Sequence, residues 1–236
     1  MNKPTITALI TIQETNNSNL PDAHLKDFCG KPLYQHMVDK LLAVPAIHRI
    51  VITTDSAKVR NAFTGNNRIS LIDFPNPSTF PEDVVARILA EMPTSDRNTA
   101  NSLDKAPGDH FLQTQCINPL LTVQTIQAAI DRYYEYVIND QHRQFDSLMS
   151  LYRIEKRLYD SSNYPTITLR DDPHFVIYED TVFNLFSREH FNRNGKKKFG
   201  RNPMFFEVPE LESLAVESPT SYQLARLAFE NARVFG

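Results

Sequence analysis

Short β-branched runs alternate with amphipathic helical stretches along this chain, and that order limits its fold more than any other feature. Thr5–Ile12 (TITALITI), Arg49–Thr54 (RIVITT), Ile69–Asp73 and His110–Gln115 read as buried strands, and Ser147–Tyr152 (SLMSLY) reads as another. Between them, Pro32–Ala43 sets Leu33, Met37 and Leu41 four apart on one helical face, and Ser56–Phe63 reads as a short helix. Thr79-Phe-Pro-Glu82 has the form of a capping box, ahead of a helix carrying Val85, Ile88, Leu89 and Met92. A further helix places Val123, Ile126, Ile130, Tyr133 and Val137 on one side. The order predicts a three-layer, Rossmann-like α/β domain over residues 1–236, with a mainly parallel sheet covered by helices on both faces. Ligands of such sheets bind beyond the carboxyl ends of the strands. The stretches 13–24, 55–56 and 115–121 are therefore expected around one crevice.

The rhythm changes from Arg153 to Val208. Thr166–Leu169, Phe175–Tyr178, Val182–Phe186 and Met204–Val208 predict a β-rich excursion, with the basic run Asn192–Asn202 (NRNGKKKFGRN) as a loop within it. Ser218-Pro219 opens a last helix that carries Tyr222, Ala225, Phe229 and Ala232 on one face.

Composition removes several function classes. Twenty-five Lys and Arg stand against 28 Asp and Glu, a formal charge of −3, so no global basic field points to nucleic acid. The six glycines are dispersed, which excludes a dinucleotide fingerprint and a Walker loop. No two histidines stand four apart, and no G-x-S-x-G elbow exists. Two cysteines, Cys29 and Cys116, make neither a disulfide framework nor a four-cysteine zinc site, as expected in a reducing, cytoplasmic setting. No apolar run nears the roughly 20 residues of a membrane span.

Four stretches resemble the sugar-acid cytidylyltransferases, the family of acylneuraminate cytidylyltransferase and its relatives acting on nonulosonic or octulosonic acids. Ala8-Leu-Ile, Leu20-Pro21 and Leu25-Lys-Asp-Phe-Cys-Gly-Lys-Pro-Leu33 resemble its opening strand, loop and LK…GKPL stretch. Ile50-Val-Ile-Thr-Thr-Asp55 is similar to its VSTD strand end. Gln115-Cys-Ile-Asn-Pro-Leu120 stands in the place of its QPTSPLR signature, and Ser213–Pro219 in the place of its DIDTxxD segment. The resemblance implies transfer of CMP from CTP to a sugar acid with release of pyrophosphate, Mg²⁺ against the phosphates, and a homodimer. It points to Asp55, Gln115 and Lys26 as catalytic, to Gln13, Glu14, Asn16, Ser18 and His24 around the nucleotide, and to Gln115, Asn118 and Glu179 around the sugar. Glu217 and Asp55 are the expected metal ligands.

The family's cations are replaced here. Glu14 stands at its phosphate-binding Arg, Ser18 and Ala23 at its two Lys, and His24 at its Asn. Ala215 and Glu217 replace its D-x-D pair, Ser221 its later Asp, Leu121 its Arg, and Glu179-Asp180 its Asn-Gly. At an effective dielectric of about 20, two unit charges about 4 Å apart interact by roughly 4 kcal/mol, so Glu for Arg beside a phosphate turns attraction into repulsion. Two alternatives therefore stand beside transfer: a relative that binds a sugar or protein partner without catalysis, and an enzyme of altered substrate. The run Lys196–Lys198 with Arg201 could return cations to the crevice from a new direction.

Overall fold

The computed structural model describes residues 5–14, 19–74, 81–92, 109–140, 144–154, 158–159, 165–167, 177–198 and 200–235. The chain begins with β1 (Ile6–Ile12), a hairpin of β2 (Asp27–Phe28) and β3 (Lys31–Pro32), α1 (Leu33–Ala43), β4 (Ile47–Thr54), α2 (Ala57–Phe63) and β5 (Ile69–Asp73). It continues through α3 (Pro81–Glu91), β6 (His110–Thr114) and α4 (Val123–Tyr133), which runs into a π-helical turn at Tyr134–Ile138. Then follow β7 (Ser147–Ile154), β8 (Leu158–Tyr159), β9 (Pro165–Ile167), β10 (Ile177–Ser187), α5 (Arg188–Arg193), β11 (Pro203–Glu207), α6 (Glu210–Ser213) and α7 (Pro219–Phe235). The capping box at Thr79–Glu82 and the stretch 93–108 lie largely outside the described residues.

Seven strands form one sheet in the order β11-β7-β10-β6-β1-β4-β5. All its pairings are parallel except those of β10, which runs against both neighbours. This is the expected mainly parallel α/β architecture. β1 shows why its sequence carries no charged residue. Ile6, Ala8, Ile10 and Ile12 face one buried cluster, with α1, α4 and α7, while Leu9 faces a second with Val51, Phe111, Phe186 and α3. A strand covered on both faces has no polar side to alternate with. On α1, Leu33, Met37 and Leu41 are fully buried, so truncating Met37 to Ala would cost about 2–5 kcal/mol.

Two expectations change at the carboxyl-terminal half. Phe175–Tyr178 and Val182–Phe186 were expected as separate pieces of an excursion; β10 instead joins residues 177–187 in one strand inside the main sheet, between β6 and β7. The reason is burial: Val182, Phe183, Leu185 and Phe186 are each at most 2% exposed and fill both faces of that sheet. β11 extends the same sheet beside β7, and β8 and β9 pair separately from it.

Candidate functional site

β1 is the switch point of the sheet, since β4 lies on one side of it and β6 on the other. The crevice expected beyond the carboxyl ends of these strands is lined by the residues after Ile12, Thr54 and Thr114. Ser56 caps α2, its Oγ accepting from Val59 N at 3.5 Å, and the same hydroxyl donates to Glu14 Oε1 at 2.8 Å. Glu14 N donates to Asp55 Oδ1 at 2.9 Å. The helix cap is thus Ser56, and Asp55 instead receives the chain leaving β1.

His24 completes this side. Gln13 N donates to His24 Nδ1 at 3.0 Å, and Tyr34 N donates to His24 O at 3.1 Å, so the turn at 21–25 folds back onto the end of β1. Burial holds the His24 imidazole down to about 4, against the pull of Asp55. A ring accepting at Nδ1 keeps its single proton on Nε2. Lys26 is exposed, with its Nζ 5.7 Å from the centre of the Tyr222 ring on α7. Asn16 and Ser18 lie outside the described residues, as does the side chain of Glu179.

The opposite wall is a pair of segments bound to each other. Val216 N donates to Ile117 O at 2.8 Å, and Asn118 Nδ2 donates to Ser213 O at 2.9 Å. Asn118 is 1% exposed, so its amide ties loop to segment rather than opening toward solvent, while Gln115 is exposed at the end of β6. Thr122, the cap of α4, donates its N–H to Glu212 Oε2 at 2.8 Å, and Lys40 Nζ on α1 donates to Pro119 O. Cys116 is buried, and burial pushes its thiol up to about 12, far from a reactive thiolate.

Among the described residues, the expected ligands do not form a metal site of their own. Glu217 is exposed beside Ala215, and Asp55 is engaged by Glu14 N. Among the described residues no three His, Cys, Asp or Glu side chains group as ligands would. Ser221, in place of the family's later Asp, is used as a reciprocal cap. Its Oγ accepts from Glu217 N and Ser218 N, and Ser218 Oγ accepts from Ser221 N.

The basic run lies at the other end of the sheet. Ser187 pairs with His110, the first residue of β6, and α5 leads from there into the turn at 194–196. Pro203 pairs with Ser147, the first residue of β7. Lys196–Lys198 and Arg201 therefore sit beyond the amino ends of the parallel strands and do not return cations to the crevice of the same chain. The run reads locally as a charged loop; only the reversed direction of β10 decides where it goes.

Ser56, Lys40 and Glu212 were not singled out from sequence. Ser before a helix is a cap signal, and Lys40 falls three residues after Met37, inside the apolar stripe of α1. Glu212 carried no local signal.

The family model described as Cytidylyltransferase matches residues 15–208. A 3-deoxy-manno-octulosonate cytidylyltransferase of Geobacter sulfurreducens is 22% identical over 135 residues, covering 56% of this chain and 54% of that relative. The match thus spans about half the length of that relative. A CMP:2-keto-3-deoxy-manno-octonic acid synthetase complexed with CTP superimposes with a TM-score of 0.68 at 14% identity, covering 97% of this chain and 99% of the other. The 4-diphosphocytidyl-2C-methyl-D-erythritol synthase of Anaerococcus prevotii gives 0.67 at 11% identity, with 96% of each chain covered. Among the described residues no helix is long and apolar enough to cross a membrane.

Proposed function

This chain belongs to the cytidylyltransferase family, and from that premise we propose that it transfers CMP from CTP to an octulosonic-type sugar acid in the crevice at the ends of β1, β4 and β6. A hydroxyl oxygen of the sugar acid bonds to the α-phosphorus while the bond from that phosphorus to the bridging oxygen breaks. Pyrophosphate leaves and the hydroxyl proton is released. Gln13, Glu14, Asn16, Ser18 and His24 border the nucleotide, with Lys26 the retained cation of that loop. Gln115 and Glu179 meet the sugar acid, Asn118 fixes the loop that carries Gln115, and Asp55 anchors the nucleotide loop through Glu14 N. No step is routed through a metal, because Glu217 and Asp55 do not form a ligand group. One observation carries the proposal most: the bond from Val216 N to Ile117 O brings together the two segments that resemble the family's D-x-D and QPTSPLR stretches.

One observation favours a second function, ligand binding without transfer. Glu14 and Asp55 put two carboxylates at the end of β1, joined through Glu14 N and Ser56, where the family has a cation for the triphosphate. Calorimetric titration with CTP and CMP, followed by an assay of pyrophosphate release with 3-deoxy-manno-octulosonate, separates the two. Tighter binding of CTP than CMP with release of pyrophosphate supports transfer. Binding of CMP or sugar acid without release supports the second function, and no heat with either nucleotide at millimolar concentration rules out the first.

A further inference from the structure

Three elements far apart in sequence meet behind the loop after β6. Lys40 Nζ, from α1, donates to Pro119 O. Glu212 Oε2, from α6, accepts Thr122 N at 2.8 Å, and Thr122 Oγ1 lies 3.2 Å from the same oxygen. Asn118 Nδ2 and Val216 N close the other side, onto Ser213 O and Ile117 O. The loop 115–122 is thereby gripped at Ile117, Asn118, Pro119 and Thr122, leaving Gln115 exposed at its start. Pro119 has no N–H of its own to donate, so its carbonyl is the backbone group through which α1 can hold this point.

We propose that Lys40 is a positioning residue for the crevice, fixing loop 115–122 through Pro119 O where Glu212, through Thr122, ties the same loop to segment 210–217 as one wall. This rests on the transfer function proposed above for that crevice. Lys40 touches no reacting atom; it acts through the loop that carries Gln115. The groups facing Lys40 are Glu212 on α6, Lys31 on β3 and Asp39 on α1 itself. Burial brings the Lys40 ammonium down to about 8, with Glu212 and Asp39 opposing and Lys31 adding to the fall. Burial outweighs the attraction of Glu212, so the closed wall holds the Lys40 proton less tightly than an opened one does.

Hydrogen exchange on the full chain tests this without assuming a substrate. In Lys40→Met, the amides of Thr122 and Val216 are expected to exchange at least tenfold faster, while those of β1 and β4 keep their protection. In the wild-type chain an opening that exposes Lys40 takes up a proton above about pH 8, so the protection of Thr122 and Val216, corrected for intrinsic rates, is expected to rise as pH rises through about 8. Glu212→Gln, which weakens the hold on the same loop at Thr122, should loosen both amides if Lys40→Met does not fold. With CTP and the sugar acid, Lys40→Met should lower kcat at least tenfold and leave KM for CTP within about threefold. Unchanged exchange at both amides, in the variants and across that pH range, overturns the positioning role. Failure of the wild-type chain to bind CTP would count against the transfer function alone, because the exchange data decide the coupling of the two segments independently.

Discussion

Ser56 Oγ donates to Glu14 Oε1 at 2.8 Å across 42 residues of chain, so the end of β1 and the cap of α2 are built as one unit. The Glu14 carboxylate is fixed there beside Asp55, which accepts Glu14 N. An anion entering this end of the crevice meets two fixed negative charges.

Glu14→Gln should therefore favour the triphosphate. The amide can still accept from Ser56, but one like charge is gone. CTP affinity is expected to rise about tenfold relative to CMP, equivalent to about 1.4 kcal/mol. Parallel calorimetric titrations of both nucleotides check this, and an unchanged ratio would place the phosphates elsewhere.

His24 makes stability depend on pH. Its pKa falls from 6.5 to about 4 on folding because the buried ring resists charging. The unfolded chain therefore binds more protons between these values, and stability is full above pH 6.5 and lost as pH falls toward 4. At about 1.4 kcal/mol per unit, the loss is of order 3 kcal/mol. Urea denaturation at pH 7 and pH 4.5 should reveal it, with His24→Gln showing a smaller slope.

Asn118 separates packing from charge. Asn118→Ala leaves Ser213 O without its 2.9 Å donor in a buried place, at a cost of about 1–3 kcal/mol. Asn118→Asp sets a carboxyl against that carbonyl, which tolerates only the protonated form. Its pKa is raised in the fold, so the variant should lose further stability as pH rises above about 4. Equal stability of the two variants at pH 7 would contradict this placement.

Gly200 leaves no room for a side chain. A Cβ there would lie 2.1 Å from Asp146 Oδ1, and that carboxylate already accepts Arg201 N at 2.9 Å and Asn202 N at 3.1 Å. Gly200→Ala is expected to destabilise by about 1–3 kcal/mol, read as a lower melting temperature with unchanged nucleotide binding.

Replacing Lys196, Lys197 and Lys198 together by Ala should leave CTP affinity within twofold, since they lie at the amino ends of the strands. A tenfold loss would mean that a second copy brings the run to the crevice.

The strands β1 and β4 were legible because their stretches buried on both faces, Ile6–Ile12 and Ile50–Thr54, carry only apolar or β-branched residues. Helix α1 was legible because Leu33, Met37 and Leu41 repeat at the period of one face. The last helix followed from Ser218-Pro219, and Tyr222 and Phe229 do pack on Phe28 as the helical face required. β10 was divided in two because Glu179-Asp180 interrupts its apolar pattern, where its pairing with β7 also shifts register. Of the candidate site, Gln115 and Asp55 were legible as strand-end residues, and Glu14 only through the family resemblance of the loop that holds it.

What the sequence alone determined was the layered α/β order and the end of the sheet at which a ligand site belongs, because periodicity and strand ends are written in neighbouring residues. The tertiary structure alone decided that Glu14 is held by Ser56, that Asn118 turns inward to Ser213, that Lys40 supports Pro119, and that the basic run lies away from the crevice. These contacts join residues 42 to 95 positions apart, or follow from one reversed strand. Their partners are set by how strands register and helices pack, which no local pattern encodes.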